Sequence, residues 1–568
     1  MGASILLNPN HLIRQYPDQK SREIMEKTIA FFENKGKRKL KEDDHERVWY
    51  SDFLDFVKEE KIFYNLLTPS EYGEGETRWD TWRNCEFNEI LGFFGLAYWY
   101  TWQVTILGLG PIWMSDNDEL KERAAKYLEA GEIFAFGLSE QTHGADVYST
   151  AMELRLDSGG EFKANGEKYY IGNANQARMV STFGKLEDSG DYTFFVVDSQ
   201  HEKFDCIQNV TNSQNYVAQY ALKDYPVFEG DILSMGKDAW NTALNTVNVG
   251  KYNLGWASIG ICTHALYEAI THAANRRLYN MYVTDFPHVK RMFTDAYCRL
   301  VSMKLFTLRV ADYQRVASLE DRRYLLYNAL VKMKVTTQGE EVIDLLWDVI
   351  AAKGFEKDMY FEMAARDIRA LPKLEGTVHV NIALIIKFMR NYLFFPSKYA
   401  EVPLCNGPED DTFLFNQGPA KGLGKIKFHD WKPVFKRWNL PNVNIFFDQI
   451  SAFRKMLTLA SPSKDQQRDV DFLLATGEIF SLIAYCQLIL ENAEIYEIEN
   501  DLINQIFDVM VRDFSRYALD LHNKTGTSSR QMKHCIKMIR KPIADQVQYE
   551  QVWSDHVHAL NGVYEMKE

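Results

Sequence analysis

The chain has 568 residues, enough for several packed units, and its 46% hydrophobic and 25% charged content excludes wholesale disorder. A formal charge of −13 argues against an extended nucleic-acid footprint, whose affinity rests on Lys and Arg. The cysteines (Cys85, Cys206, Cys262, Cys298, Cys405, Cys486 and Cys535) form no C-x-x-C pair. Neither a disulfide framework nor a zinc site is indicated, and reduced thiols in a cytoplasmic compartment are expected.

The stretch Met1–Gln15 lacks a basic region leading into an apolar one, so no secretory signal is read there. Residues 1 to about 130 are predicted helical. From Ile90 to Met114 no residue is charged, a length that could span a bilayer. Gln103, Gly92, Gly95 and the Gly108-Leu-Gly-Pro111 end instead predict a helix buried on all sides in a large soluble core. Near Glu132 the texture changes to short alternating or β-branched runs, including 149–156, 161–164, 168–171, 179–183 and 192–197. Asn165-Gly166 between two of these runs is a hairpin signal, because both residues accept positive φ. Helical periodicity returns over 254–274, 288–316 and 323–353, with Gly354 as a C-cap, and again from Gly376 to about Leu393. Residues 402–440 are irregular, and 443–460, 469–498, 502–521 and 528–541 are again helical.

The predicted fold class is therefore mainly α with an inserted β domain. It divides into a helical domain 1–130, a β domain 131–240, a helical bundle 241–400, a linker 401–440 and a C-terminal helical domain 441–568. Strand and helix do not alternate, which excludes a doubly wound sheet. No P-loop and no strand-linked G-x-G-x-x-G is present.

Two stretches carry candidate chemistry. Phe134 to Asp146 combines a hydroxyl at Ser139, acidic residues at Glu140 and Asp146, and Gly144; its bland reading is a polar turn into a strand. In Leu371-Pro-Lys-Leu-Glu-Gly-Thr-Val-His379, Glu375 lies between an apolar residue and glycine before a helix. Apolar neighbours disfavour a charged carboxylate and suit it to work as a general base, with Gly376 admitting close approach and Thr377 offering a hydrogen bond. Helix capping by Glu and Thr is the alternative.

Taken together, these segments resemble the acyl-CoA dehydrogenase family. Gly137-Leu-Ser-Glu-x-x-x-Gly-x-Asp146 is similar to its first signature. Ala164-Asn-Gly-Glu-Lys-Tyr-Tyr-Ile-Gly-Asn-Ala174 resembles its middle strand pair, Asn275-Arg-Arg-Leu-Tyr279 a helix connection, and Leu374-Glu-Gly-Thr377 its catalytic loop. The likeness covers about residues 80–395. It implies a helical N-terminal domain, a β-barrel-like middle domain and a four-helix bundle, with FAD held by the latter two and completed by a second subunit. It implies α,β-dehydrogenation of an acyl-CoA, or acyl carrier, thioester with Glu375 as the base. Phe136, Leu138, Ser139 and Tyr170 would lie by the flavin, Arg276 at a neighbouring subunit's pyrophosphate, and Gly376 and Thr377 beside the cofactor. Ala145, Lys251 and Leu374 fall on substrate positions. A homodimer or homotetramer and an electron-transfer flavoprotein as acceptor are implied. The position used for the base by some members is Gly250 here, and glycine cannot serve.

The chain departs from the family at several points. Ala145 replaces a serine or threonine, Gly172 a threonine that meets the flavin, Leu278 a polar residue, and Lys251 an arginine. Asp348, Ala351 and Ala352 stand where Gln and a glycine pair are usual. An acyl-CoA oxidase, and a catalytically silent acyl-CoA-binding scaffold, are the alternative readings; flavin colour and peroxide release discriminate them. Within 528–541, Met532, Cys535, Ile536 and Ile539 are predicted to form one apolar stripe on a basic helix. That helix would pack in the C-terminal bundle, pair with the acidic run from Glu491 to Asp501, or touch an anionic membrane surface.

Overall fold

The computed structural model describes residues 5–11, 16 and 18–568. The described residues pack as two compact units: 16 and 18–253 with Asn406–Lys421 and Met566–Glu568, and 5–11 with Leu254–Cys405 and Gly422–Glu565.

In the first unit, the uncharged run is two helices, Thr81–Phe94 and Leu96–Trp113, broken at Gly95, whose extended backbone interrupts the ladder. The expected single helix is corrected to that extent; its burial is as expected, since all of Thr81–Phe94 is buried. Several polar groups inside are matched to one another: Asn88 Oδ1 accepts from Trp99 Nε1 (2.7 Å) and Trp102 Nε1 (3.1 Å). Gln103 Nε2 donates to Gly250 O at 2.9 Å, on the helix Gly236–Lys251. An unmatched buried amide would cost a few kcal/mol, so such pairing is what allows these residues in an aromatic core.

The same unit holds the β domain. Its strands are β1 (Phe134–Gly137), β2 (Glu153–Leu156), β3 (Phe162–Gly172), β4 (Met179–Leu186), β5 (Tyr192–Val197), β6 (Phe204–Asn209), β7 (Val217–Val227) and β8 (Ile232–Met235). The sheet order is β6-β7-β3-β2-β4-β5-β8, with β1 parallel to β4. Asn165-Gly166 is not a hairpin turn. β3 runs through it against β7, with register shifts between Ala164 and Gly166 and between Lys168 and Ile171. Gly166, at φ 143°, serves a bulge in one long strand, and Asn165 bonds Asp224 across the ladder (Asp224 N to Asn165 Oδ1, 2.9 Å).

The second unit is helical apart from the two-residue strands β9 (Arg277–Leu278) and β10 (Met281–Tyr282). Its long helices include Asn253–Asn275, Pro287–Arg315 and Tyr324–Leu330, the last passing through a π-turn, Val331–Val335, into Thr336–Ile350. Gly354 does not cap this last helix; Ala351 takes the positive φ of 56°. The C-terminal helix Val470–Ile495 lies against Pro287–Arg315 and against Asn500–Asn523. Buried ion pairs fasten these layers: Arg299 grips Asp513 through two bonds (2.7 and 2.9 Å), and Arg309 Nε meets Glu491 at 3.0 Å. Val470–Ile495 is the one helix, among the described residues, long and apolar enough to cross a membrane, and 83% of its apolar window is buried inside the protein.

The stripe expected near the C-terminus is shifted by one residue. In the helix Ser529–Met538 the buried positions are Gln531, Cys535 and Met538, while Ile536 and Ile539 are 58% and 41% exposed. Gln531 turns inward because Gln466 and Ala460 O take its amide. The acidic neighbours bind elsewhere: Glu491 to Arg309, Glu494 to Arg437, Glu499 to His556, and Asp501 to Gln548.

Candidate active site

On the β-bearing unit, β1 delivers the chain into Leu138, Ser139 and Glu140. Ser139 Oγ donates to Tyr169 O (2.7 Å) and Ser139 O accepts from Tyr169 N (3.0 Å), so this turn is zipped to β3. Below it, Lys168 Nζ lies 2.8 Å from Glu140 and also donates to Leu138 O at 3.1 Å. Glu140 accepts further from Thr150 Oγ1 (2.5 Å), Ala151 N (2.8 Å) and Met152 N (3.2 Å). Burial would raise its pKa, but the Lys168 charge and these bonds outweigh it and hold the carboxyl below its usual range. Burial also pushes the Lys168 ammonium down to about 8. Glu140 is thus a fastener of the turn rather than a reacting group.

Tyr170 follows at φ 64° with 60% of its surface exposed, its ring edge-on to Tyr169 at 4.7 Å. A bulky residue in the left-handed region is strained, and such strain persists where the surroundings enforce it. Asn173, also at positive φ, locks the strand end by donating to Thr101 O (3.0 Å) and Phe134 O (3.1 Å). Leu138 is half-buried, whereas Phe136 is buried and stacks on Phe194. Ala145 is exposed in the loop, and Lys251 is buried at the end of its helix.

On the helical unit, the loop before the helix Val378–Ile385 carries Leu374, Glu375, Gly376 and Thr377. Lys332, on the π-turn and closed to solvent, donates to Leu371 O at 2.9 Å and anchors the loop's approach. Glu375 (φ 49°) and Gly376 (φ 85°) then take consecutive left-handed conformations. For a non-glycine residue this costs roughly 1–2 kcal/mol. Thr377 caps the helix through Val380 N, and Asn381 Nδ2 donates to Gly376 O (3.2 Å) and Thr377 O (3.0 Å). Glu375 is half-buried with Oε2 fully covered, and Leu374 is half-buried beside it. The turn therefore offers a carboxylate from a pinned, strained backbone. Gly250 lies buried in the other unit with its carbonyl bonded to Gln103.

Arg276 is exposed at the end of Asn253–Asn275, with no ion pair among the described residues. Beyond it, β9 and β10 form a hairpin tipped by Tyr279 (φ 51°, 90% exposed) and Asn280 (φ 64°). Asp348 is exposed, and Ala351 holds φ 56°, ψ −134°, a backbone suited to glycine. Lys168 and Lys332 were not singled out from sequence. The one available sign was a lysine inside an otherwise apolar run, as in Leu330-Val-Lys-Met-Lys-Val335.

Residues 135–218 match the acyl-CoA dehydrogenase middle domain, and residues 238–389 the acyl-CoA dehydrogenase C-terminal domain. The 3-(aryl)acrylate reductase of Clostridium sporogenes is 24% identical over 336 residues, 57% of this chain and 86% of that one. Caffeyl-CoA reductase-Etf complex subunit CarC of Acetobacterium woodii is 23% identical over 375 residues, 62% of this chain and 97% of that one. The fold is that of an acyl-CoA dehydrogenase complexed with FAD from Bacillus anthracis, with a TM-score of 0.74, 17% identity, and 98% and 97% of the two chains covered. That match takes in the C-terminal helices as well. Residues 135–218 and 238–389 are thus similar, in order, to the middle and C-terminal domains of acyl-CoA dehydrogenases.

Proposed function

We propose that the protein is an FAD-dependent acyl-CoA dehydrogenase that interconverts an acyl thioester and its α,β-unsaturated form. The observation that carries this reading is the Glu375–Gly376 turn, a carboxylate on left-handed backbone between the Lys332 anchor and the Thr377 cap. The residues present fit a flavin. Tyr170 offers an exposed aromatic ring and Ser139 a pinned backbone, while Arg276 is a cation with no ion pair among the described residues. Asp348 departs, since its carboxylate would repel phosphate. Bound FAD supplies the hydride acceptor for the β hydrogen.

The chain's own residues do the rest. Glu375 takes the α proton on its carboxylate, and its backbone N–H is the donor assigned to the thioester carbonyl, where charge develops. By the family resemblance, Phe136, Leu138, Ser139, Tyr170, Gly376 and Thr377 would face the cofactor, and Ala145 and Lys251 substrate.

A second reading concerns direction. Two relatives are reductases, one named as part of an Etf complex, which supports an electron-transfer flavoprotein as partner and reduction of an enoyl thioester as the reaction in the cell. The test is the purified protein itself. A flavin spectrum that bleaches anaerobically with one of a panel of saturated acyl-CoAs, without peroxide in air, supports the dehydrogenase. A colourless protein that takes up no FAD contradicts it, and peroxide release indicates an oxidase.

A further inference from the structure

β3 ends at Gly172, where the family carries a threonine whose side chain meets the flavin. A β-carbon on Gly172 would lie 2.6 Å from Tyr100 Cε1, 2.8 Å from Val104 Cγ2 and 2.9 Å from the Tyr100 hydroxyl oxygen. Contacts this short exclude a side chain at 172 unless Tyr100 and Val104 both move. Gly172 does not adopt the left-handed backbone, so the glycine is there for space and not for its conformational freedom.

What fills that space is distinctive. Tyr100 is the one residue of Leu96–Trp113 that is not buried, in a helix whose other aromatic residues form the core. It is partly buried, packs against the β-domain core, and reaches the end of β3 at Gly172, two residues after the exposed Tyr170. The neighbouring residues fix its place: Asn173, next to Gly172, donates to Thr101 O, next to Tyr100, at 3.0 Å. Helix and strand end are thus tied one residue from each partner, and the ring cannot drift far from position 172.

We propose that Tyr100 presents its phenolic hydroxyl to the flavin in place of the side-chain hydroxyl that residue 172 lacks. The inference rests on the FAD reading above. A phenol, like an alcohol, both donates and accepts a hydrogen bond, so the contact is kept while its origin moves from strand to helix. The ring adds apolar cover that threonine does not offer. Gly172 and Tyr100 are then an exchanged pair, each tolerable only with the other.

The experiment is titration of deflavinated protein with FAD, read by quenching of flavin fluorescence and by the position of its long-wavelength absorption band. Tyr100→Phe keeps the ring and removes the hydroxyl. It should weaken FAD binding about 3- to 10-fold, as loss of one hydrogen bond does, shift the band, and leave the melting temperature of the deflavinated protein unchanged. The double variant Tyr100→Ala/Gly172→Ser, which returns a hydroxyl to the strand, should bind FAD more tightly than Tyr100→Ala alone. Wild-type affinity and an unmoved band in Tyr100→Phe overturn the exchange while leaving the FAD reading intact. So does a double variant no better than Tyr100→Ala. A wild-type protein that takes up no FAD overturns both.

Discussion

Lys168 Nζ meets Glu140 at 2.8 Å with the lysine wholly shut from solvent, and this pair sets the turn that carries Leu138 and Ser139 onto β3. Removing one partner of a buried pair leaves an uncompensated charge, so Lys168→Met should cost about 3–5 kcal/mol in denaturant unfolding. Lys168→Met/Glu140→Gln should recover much of that loss. A single variant within about 1 kcal/mol of wild type would show the pair to be marginal.

Glu491 gives a pH dependence. Burial would raise its pKa, but His429 and then Arg309 outweigh it and hold the carboxyl at about 2, against 4.5 when free. A folded value below the unfolded one contributes stability above pH 4.5 that is lost as pH falls toward 2. The contribution is roughly 3 kcal/mol at neutral pH. Glu491→Gln should lose it and flatten the stability curve between those limits; equal slopes in acid titration would contradict this.

Legibility differed with the range of the interaction that decided each feature. The helix–β–helix order was readable because periodicity and turn residues are local, and the comparisons bear out that fold. Asn165-Gly166 misled because its partner is β7, more than 50 residues on, and pairing across that distance turned a hairpin signal into a bulge. The C-terminal stripe slipped by one residue because Gln531 finds a buried partner in Gln466. At the site, Glu375, Gly376 and Thr377 were visible as a short run of residues with backbone roles. Lys332 was not, since its partner is a main-chain carbonyl 39 residues away, which leaves no side-chain pattern.

Arg276 is exposed and has no ion pair among the described residues, which suits a phosphate contact. Arg276→Ala should lower FAD occupancy through dialysis by several-fold without changing the melting temperature of the deflavinated protein. Unchanged retention would make it a solvated helix-end arginine.

The segment 530–547 exposes Arg530, Lys533, Lys537, Arg540 and Lys541 together with Ile536, Ile539, Ile543 and Val547. No ion pair involves these cations among the described residues. The helix Ser529–Met538 packs against Pro441–Leu459 and Asn500–Asn523, as the bundle reading expects, and its exposed face is open to a test against anionic lipid. Co-sedimentation with anionic vesicles should be salt-sensitive and lost in Lys533→Glu/Lys537→Glu. Absence of binding at low salt would reject it.

The most direct measurement is the rate of anaerobic flavin bleaching by a saturated acyl-CoA in Glu375→Gln. The substitution keeps size and backbone and removes only the base, whose contribution as a general catalyst is about 100- to 10,000-fold. The account requires FAD content and acyl-CoA binding near wild type, with bleaching slowed by at least that lower bound. Bleaching at the wild-type rate in a fully flavinated variant would place the base elsewhere.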